Sequence, residues 1–166
     1  NSDGSMASMC GNGTRACAHY AFMNGLAPSS MRFLTGAGVI HSTVADDIVE
    51  TELTSPKKLS DSFEEHGHRW YFYDTGVPHL VCFVEDVSVF DKAIARQMRY
   101  AYNANVNYVA LCKGTLHVRT YERGVEDETL ACGTGMAASF YAAYCEKMVE
   151  KSVTVYPTSG EELFLR

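Results

Sequence analysis

Cys10-Gly11-Asn12-Gly13-Thr14-Arg15-Ala16 and Cys132-Gly133-Thr134-Gly135-Met136-Ala137-Ala138 are one short phrase written twice in the same chain. Each opens a stretch with almost no polar face. The first continues through Cys17, Ala18, Tyr20, Ala21, Phe22 and Met23, the second through Phe140, Tyr141, Ala142, Ala143, Tyr144 and Cys145. The first stretch predicts a helix over residues 12–24, stopped by Gly25 with Pro28 beyond it, and the second a helix over 134–148. A helix that is apolar on every side must be buried nearly all round, so two such helices imply two surrounding shells.

Short runs rich in β-branched and aromatic residues supply the shells, at 31–34, 39–44, 48–53, 70–73, 80–84, 106–111, 116–121, 153–156 and 163–165. Strands therefore dominate, and the class is α+β. An outer, amphipathic helix is predicted over 87–100, with Phe90, Ile94 and Met98 on one side and Asp91, Lys92 and Arg96 among its polar positions. Between Leu53 and Trp70 the composition shifts to Ser, Pro, Lys, Glu and His. A boundary at Ser55 divides the chain into an N-terminal lobe, 1–54, and a C-terminal lobe, 55–166. Glu64-Glu65-His66-Gly67-His68 reads as a solvated loop, because a structural metal site needs four converging ligands and the others are not evident.

The 166 residues are enough for one ordinary domain or two small ones, and 46% apolar content is enough for a core. A net charge of -6, with no basic cluster larger than Lys57-Lys58, argues against a nucleic-acid partner. No apolar run reaches the roughly 18 to 20 residues of a membrane span, and no signal segment opens the chain, so a cytoplasmic address is expected. The chain starts at Asn1 in what reads as a polar loop, and an N-terminal part is expected to precede it. Six cysteines show no Cys-x-x-Cys pair and no zinc-ligand spacing. A disulfide framework is not expected, and Cys17, Cys82, Cys112 and Cys145 read as small buried hydrophobes.

Cys10 and Cys132 differ from these by their position. A cysteine just before a helix start sits at the positive end of the macrodipole, which favours thiolate. The glycines beside it let an anion approach bare N–H groups. Each phrase thus offers a basic sulfur beside a carboxylate site, and two of them could face each other across a cleft. Two matched proton carriers on opposite faces of one carbon suit inversion at an amino-acid α-carbon. Both phrases also fit Gly-x-Gly-x-x-Ala, but neither follows a strand nor precedes an acidic residue at the spacing a dinucleotide site requires. A P-loop fails for want of Gly-Lys-Ser/Thr. Two unrelated, glycine-flanked core cysteines remain the bland alternative.

The run from Asn1 to Arg15 resembles the first cysteine signature of the diaminopimelate epimerase family. Tyr121-Glu122-Arg123-Gly124, followed by Glu128-Thr129-Leu130-Ala131-Cys132-Gly133-Thr134-Gly135, resembles the second. Thr75-Gly76-Val77-Pro78-His79 and Asn103-Ala104-Asn105-Val106-Asn107 lie between them in the family's order. The resemblance implies two similar lobes, each a curved, mostly antiparallel or mixed sheet wrapped around a buried central helix. It implies interconversion of LL- and meso-diaminopimelate, for lysine and cell-wall peptide, with no pyridoxal phosphate and no metal. Cys10 and Cys132 match the proton carriers, with His79 polarising Cys10 and Glu122 polarising Cys132. The backbone at Gly11-Asn12 and Gly133-Thr134 matches the holder of the reacting carboxylate, while Asn1, Asn105 and Arg123, with Glu122 beside them, match residues of the substrate pocket. The partner implied is the small-molecule substrate, diaminopimelate, with a homodimer left open. Val77 stands where the family often has Asn, so one distal contact is not expected. The family's N-terminal segment and last strands lie outside the sequence.

Proline racemase and hydroxyproline epimerase share the two-thiol logic, but tend to carry His after the first Cys-Gly and Asp-Arg-Ser-Pro before the second Cys. This chain has Asn12 and Leu130-Ala131 there. A redox-sensing or binding relative without catalysis is the alternative from another class.

Overall fold

In the computed structural model, which describes residues 9–166, both phrases become helix starts: Gly11–Met23 (α1) and Gly133–Cys145 (α3). Cys10 and Cys132 are the N-caps, each with extended backbone. Gly25 ends α1 as expected, at φ +67°, with its N–H on the Phe22 carbonyl at 3.0 Å and that of Leu26 on Ala21 at 2.8 Å. Lys147 takes the equivalent left-handed position after α3, at φ 59°, and stops that helix short of its expected end.

The first sheet is a small antiparallel one, Ser30–Thr35 (β1), Gly38–Ala45 (β2) and Ile48–Thr51 (β3). It packs against α1 through Ala18, Met31 and Val44. Among the described residues only one side of the helix is covered, three strands being too few to enclose it, and Tyr20 and Met23 are each 64% exposed. Cys17, on the same helix, is exposed rather than buried. The other apolar helix meets its expectation far better, with Thr134 through Ser139, Ala142 and Ala143 buried.

Nine strands form the second sheet. Its main path runs Leu163–Leu165 (β12), Val153–Pro157 (β11), Thr115–Glu122 (β9), Asn105–Cys112 (β8), Pro78–Phe83 (β7), His68–Asp74 (β6) and Lys57–Lys58 (β4). Asp127–Thr129 (β10) joins β9 and Phe63–Glu65 (β5) joins β6. Two neighbouring pairs are parallel, β7 with β8 and β9 with β11. A parallel pair needs a crossover, and the crossovers are Lys92–Tyr102 (α2) and α3. Side chains alternate between faces along a strand. Leu80, Cys82, Val106 and Tyr108 pack with Ala95 and Met98 of α2, whereas Val81, Val109 and Val118 pack with α3. The two helices therefore cover opposite faces, which explains the unbroken burial from Asn105 to Ala110. His79, Asn105, Asn107 and Thr120 share the face of Val81, Val109 and Val118, and so point to α3.

Three further expectations are corrected. The helix over 87–100 is a 3-10 turn, Val87–Val89, followed by α2. Asp86 caps the turn through the Ser88 N–H at 2.7 Å, and Asp91 caps α2 through Ala93 at 2.8 Å and Ile94 at 3.0 Å. Two caps five residues apart restart the helix. The loop over 64–68 is the tip of the β5–β6 hairpin, closed by His66 and Gly67 at φ 52° and 77°, both signs that a two-residue turn requires. Phe63 stacks on Tyr102 at 5.0 Å and anchors β5. Lastly, Cys112 and Cys145 are exposed at element ends, and of the four cysteines expected in the core only Cys82 is there.

Trp70 is fully buried, meets Tyr108 edge-on at 5.7 Å and donates from Nε1 to the Glu65 carbonyl at 2.9 Å. Trp70→Ala opens a cavity and orphans that carbonyl. It is expected to lower the unfolding free energy by about 3–5 kcal/mol, read as the loss of denaturation midpoint in urea.

Candidate active site

The N-termini of α1 and α3 face each other at their glycines. A methyl group built on Gly133 would lie 3.6 Å from the Gly11 Cα, and one built on Gly11 would lie 3.8 Å from the Gly133 Cα. Any side chain at either place would occupy the space between the two helix starts. Arg15 reaches over this junction: its Nη1 is 3.7 Å from the position of a Gly11 methyl and its Nη2 donates to Asn12 Oδ1 at 2.6 Å.

The two cysteines meet different surroundings. Cys10 is exposed, and its sulfur accepts the Gly13 N–H at 3.4 Å, a side-chain cap on α1. Cys132 is buried and makes no such cap. Burial first, then the negative charge of Glu122, push its thiol up to about 11, against the Thr134 hydroxyl, which favours thiolate. The thiolate expected there from the helix dipole gives way to a thiol, because desolvation outweighs the dipole. Cys10 is the last and weakest of the groups that raise it.

His79 is fully buried. Its Nε2 lies 2.9 Å from Thr134 Oγ1, its Nδ1 lies 3.1 Å from the Asn107 Nδ2 donor, and Asn105 Nδ2 approaches Nε2 at 3.4 Å. Thr134 Oγ1 lies 3.6 Å from the Cys132 sulfur. Within the described residues His79 thus stands in hydrogen-bond sequence with Cys132, and makes no hydrogen bond to Cys10, the partner expected for it. The imidazole is neutral: burial, with the positive Arg123 adding, lowers it to about 3.

Glu122 accepts the Thr129 hydroxyl at 2.8 Å and acts on Cys132 through its charge. Asn105 Oδ1 accepts the Arg123 backbone N–H at 2.8 Å, and the Arg123 guanidinium donates from Nη1 to the Asn103 carbonyl at 2.8 Å, so these two expected pocket residues are neighbours. Asn12 is exposed beside Gly11, and Asn1 lies outside the described residues. Thr120 is a site residue that no sequence motif marks, and Thr75 and Asn107 lie inside the landmark runs without being singled out there. Thr75 donates to the Thr134 carbonyl at 2.8 Å, and Thr120 donates to Asn107 Oδ1 at 2.9 Å. Polar residues at alternate positions of an otherwise apolar strand, Asn105 and Asn107, were the available signal. Among the described residues no group of His, Cys, Asp and Glu converges as a metal site would, and no helix is long and apolar enough to cross a membrane.

A hydroxyproline epimerase from Agrobacterium vitis, solved with bound trans-4-hydroxy-L-proline, superposes with a TM-score of 0.67 over 95% of this chain and 58% of its own. At 13% identity the likeness shows the fold, a sheet wrapped around a helix in the manner expected, and does not favour a hydroxyproline substrate. The diaminopimelate epimerase family model matches residues 71–164. A diaminopimelate epimerase from a Nitratiruptor species is 60% identical over the whole chain, which covers 67% of that relative. One from Campylobacter jejuni is 52% identical over 98% of the chain, covering 66% of the relative. The chain belongs to the diaminopimelate epimerase family. It spans about two thirds of the length of these relatives, whose names bear out the expected kind of isomerase.

A buried neutral imidazole makes stability depend on pH. The folded His79 is lowered from the ordinary 6.5 to about 3, so below about pH 6.5 the unfolded chain binds a proton that the folded one refuses. Its contribution is complete above that pH and is lost as pH falls toward 3. Urea midpoints measured across this window are expected to fall less steeply for His79→Gln than for the parent protein.

Proposed function

We propose that the whole protein inverts the α-carbon of LL-diaminopimelate to give the meso form, without a cofactor, by a two-thiol exchange of protons. The observation that carries this reading is the approach of two cysteine-capped helix N-termini at Gly11 and Gly133. The α-carboxylate is received by the backbone N–H groups of Gly11-Asn12 and Gly133-Thr134. Two positive helix ends there stabilise the charge that spreads onto the carboxylate when the α-proton leaves.

The unequal surroundings of the sulfurs support a division of roles in one direction of turnover. Cys10, as thiolate, takes the α-proton and becomes a thiol. Cys132, held as a thiol by its burial and by Glu122, gives its proton to the opposite face of the carbon and becomes a thiolate. The reverse reaction exchanges the roles. Asn105 and Arg123, tied to each other, suit the distal carboxylate, for which a guanidinium offers paired donors. His79 acts through Thr134 on the Cys132 side. The change of sheet between Thr51 and Lys57 supports the division into lobes 1–54 and 55–166. A cytoplasmic address is part of the same reading, and a homodimer is left open by it.

Cys10→Ala and Cys132→Ala are each expected to reduce epimerisation by at least about 10²–10⁴-fold in both directions, since each direction needs one base and one acid. The measurement is proton NMR of LL-diaminopimelate with the intact protein in heavy water, following α-deuteration and the rise of the meso form. Retained two-way turnover in either variant rules out the two-thiol scheme. Reactive thiols without α-proton exchange in the parent protein identify the redox-sensing or binding alternative, and exchange on hydroxyproline alone identifies the racemase-type one.

A further inference from the structure

Asn107 is fully buried on β8, and each of its polar atoms is committed. Its Nδ2 donates to the Leu80 carbonyl at 2.8 Å, and a carbonyl can only accept, so this end of the amide is fixed as nitrogen. Its Oδ1 accepts from Thr120 Oγ1 at 2.9 Å. The second hydrogen on Nδ2 then points at His79 Nδ1, 3.1 Å away. That ring nitrogen must be the acceptor. A neutral imidazole has one N–H, which is left for Nε2 and donates to Thr134 Oγ1 at 2.9 Å. With its oxygen so occupied, the Thr134 hydroxyl has its own hydrogen free for the Cys132 sulfur at 3.6 Å.

We infer that Asn107, acting through His79 and Thr134, fixes the direction of a buried hydrogen-bond chain that ends on the Cys132 sulfur, and is a positioning residue for that proton carrier. Asn105 pulls the other way, since its Nδ2 approaches His79 Nε2. It does so at 3.4 Å and has the Pro78 carbonyl as an alternative acceptor at 3.3 Å, whereas the opposite tautomer would set Nδ1–H against an Asn107 N–H at 3.1 Å. The shorter contact decides. Gly135 belongs to the same arrangement: a methyl group there would stand 2.4 Å from Asn107 Oδ1 and 3.2 Å from Thr120 Oγ1. The second glycine of the repeated phrase is therefore required by the amide packed beneath it. The chain delivers a donor to Cys132 whenever the sulfur is a thiolate, and when the thiol gives up its proton the new charge meets a hydrogen bond already aimed at it. This consequence for turnover rests on the function proposed above; the orientation of the chain does not. The titratable and charged groups about the pair are Glu122 and Cys10 around Cys132, and Arg123 near His79.

The test uses long-range nitrogen-15 NMR of the imidazoles in the intact protein, together with peptide-resolved alkylation of Cys132 by iodoacetamide against pH. In the parent protein His79 should show the Nε2–H tautomer, and observation of Nδ1–H overturns the inference with no variant needed. Asn107→Leu should remove the preference for Nε2–H and raise the alkylation midpoint of Cys132 by about one pH unit, the worth of one hydrogen bond to the thiolate. Thr134→Val should raise that midpoint similarly while leaving His79 as Nε2–H. The double variant should go no further than Thr134→Val alone, because both changes cut one path. Additive shifts, or an unchanged tautomer in Asn107→Leu, overturn the inference. The expected tautomer in a protein that exchanges no α-proton of diaminopimelate would refute the proposed function and leave the chain standing.

Discussion

Two helix N-termini pointed at one another across bare glycine backbone are the constraint on which the rest of this structure depends. Like ends of two macrodipoles repel, and their first N–H groups have no partner within the helix. Such an arrangement holds only where sheets grip each helix from outside and where the gap suits an anion. Here α3 is gripped by a large mixed sheet and α1 by three strands, and Gly11 and Gly133 meet with no side chain between them. The cysteines stand immediately before Gly11 and Gly133, at the N-cap of each helix.

The difference between the sulfurs arises from burial and the charge of Glu122 and not from the Cys-Gly-x-Gly phrase that they share. Cys10 stands in the open and caps its helix; Cys132 lies under cover, beside a carboxylate, at the end of a run of committed hydrogen bonds. A repeated motif thus gives two cysteines in unlike surroundings.

Much of this was legible beforehand, for identifiable reasons. The doubled phrase located both helix starts to within a residue, because a cap followed by an apolar run is a local signal. The nine expected strands are all present, since β-branched and aromatic runs mark them without reference to partners. The failures share a cause, which is that exposure is not a local property. Tyr20, Met23 and Cys17 look like core residues in sequence, yet the three strands beside α1 leave that face open. The thiolate expected at Cys132 follows from the dipole alone, and depth of burial is invisible in the sequence. β4 and β5 are too short and polar to be read as strands, and exist because β6 offers them an edge. Within the site, the positions of the cysteines, Asn105 and Arg123 were marked by motif, and the contact between Asn105 and Arg123 was not. The Asn107 amide was not, because nothing in a single strand reveals which ring nitrogen will lie above it.

The crossovers of the large sheet also set when the site can come into being. Thr75 reaches Thr134 across 59 positions of chain, His79 reaches Thr134 across 55 and Asn107 reaches His79 across 28. Contacts of such sequence separation are closed late, since the chain entropy of bringing their ends together is met only once the intervening strands have paired. The surroundings of Cys132 are therefore a property of the finished sheet. A nascent or partly unfolded chain carries an ordinary thiol at that position, and the chemical character of this one sulfur keeps time with the completion of folding.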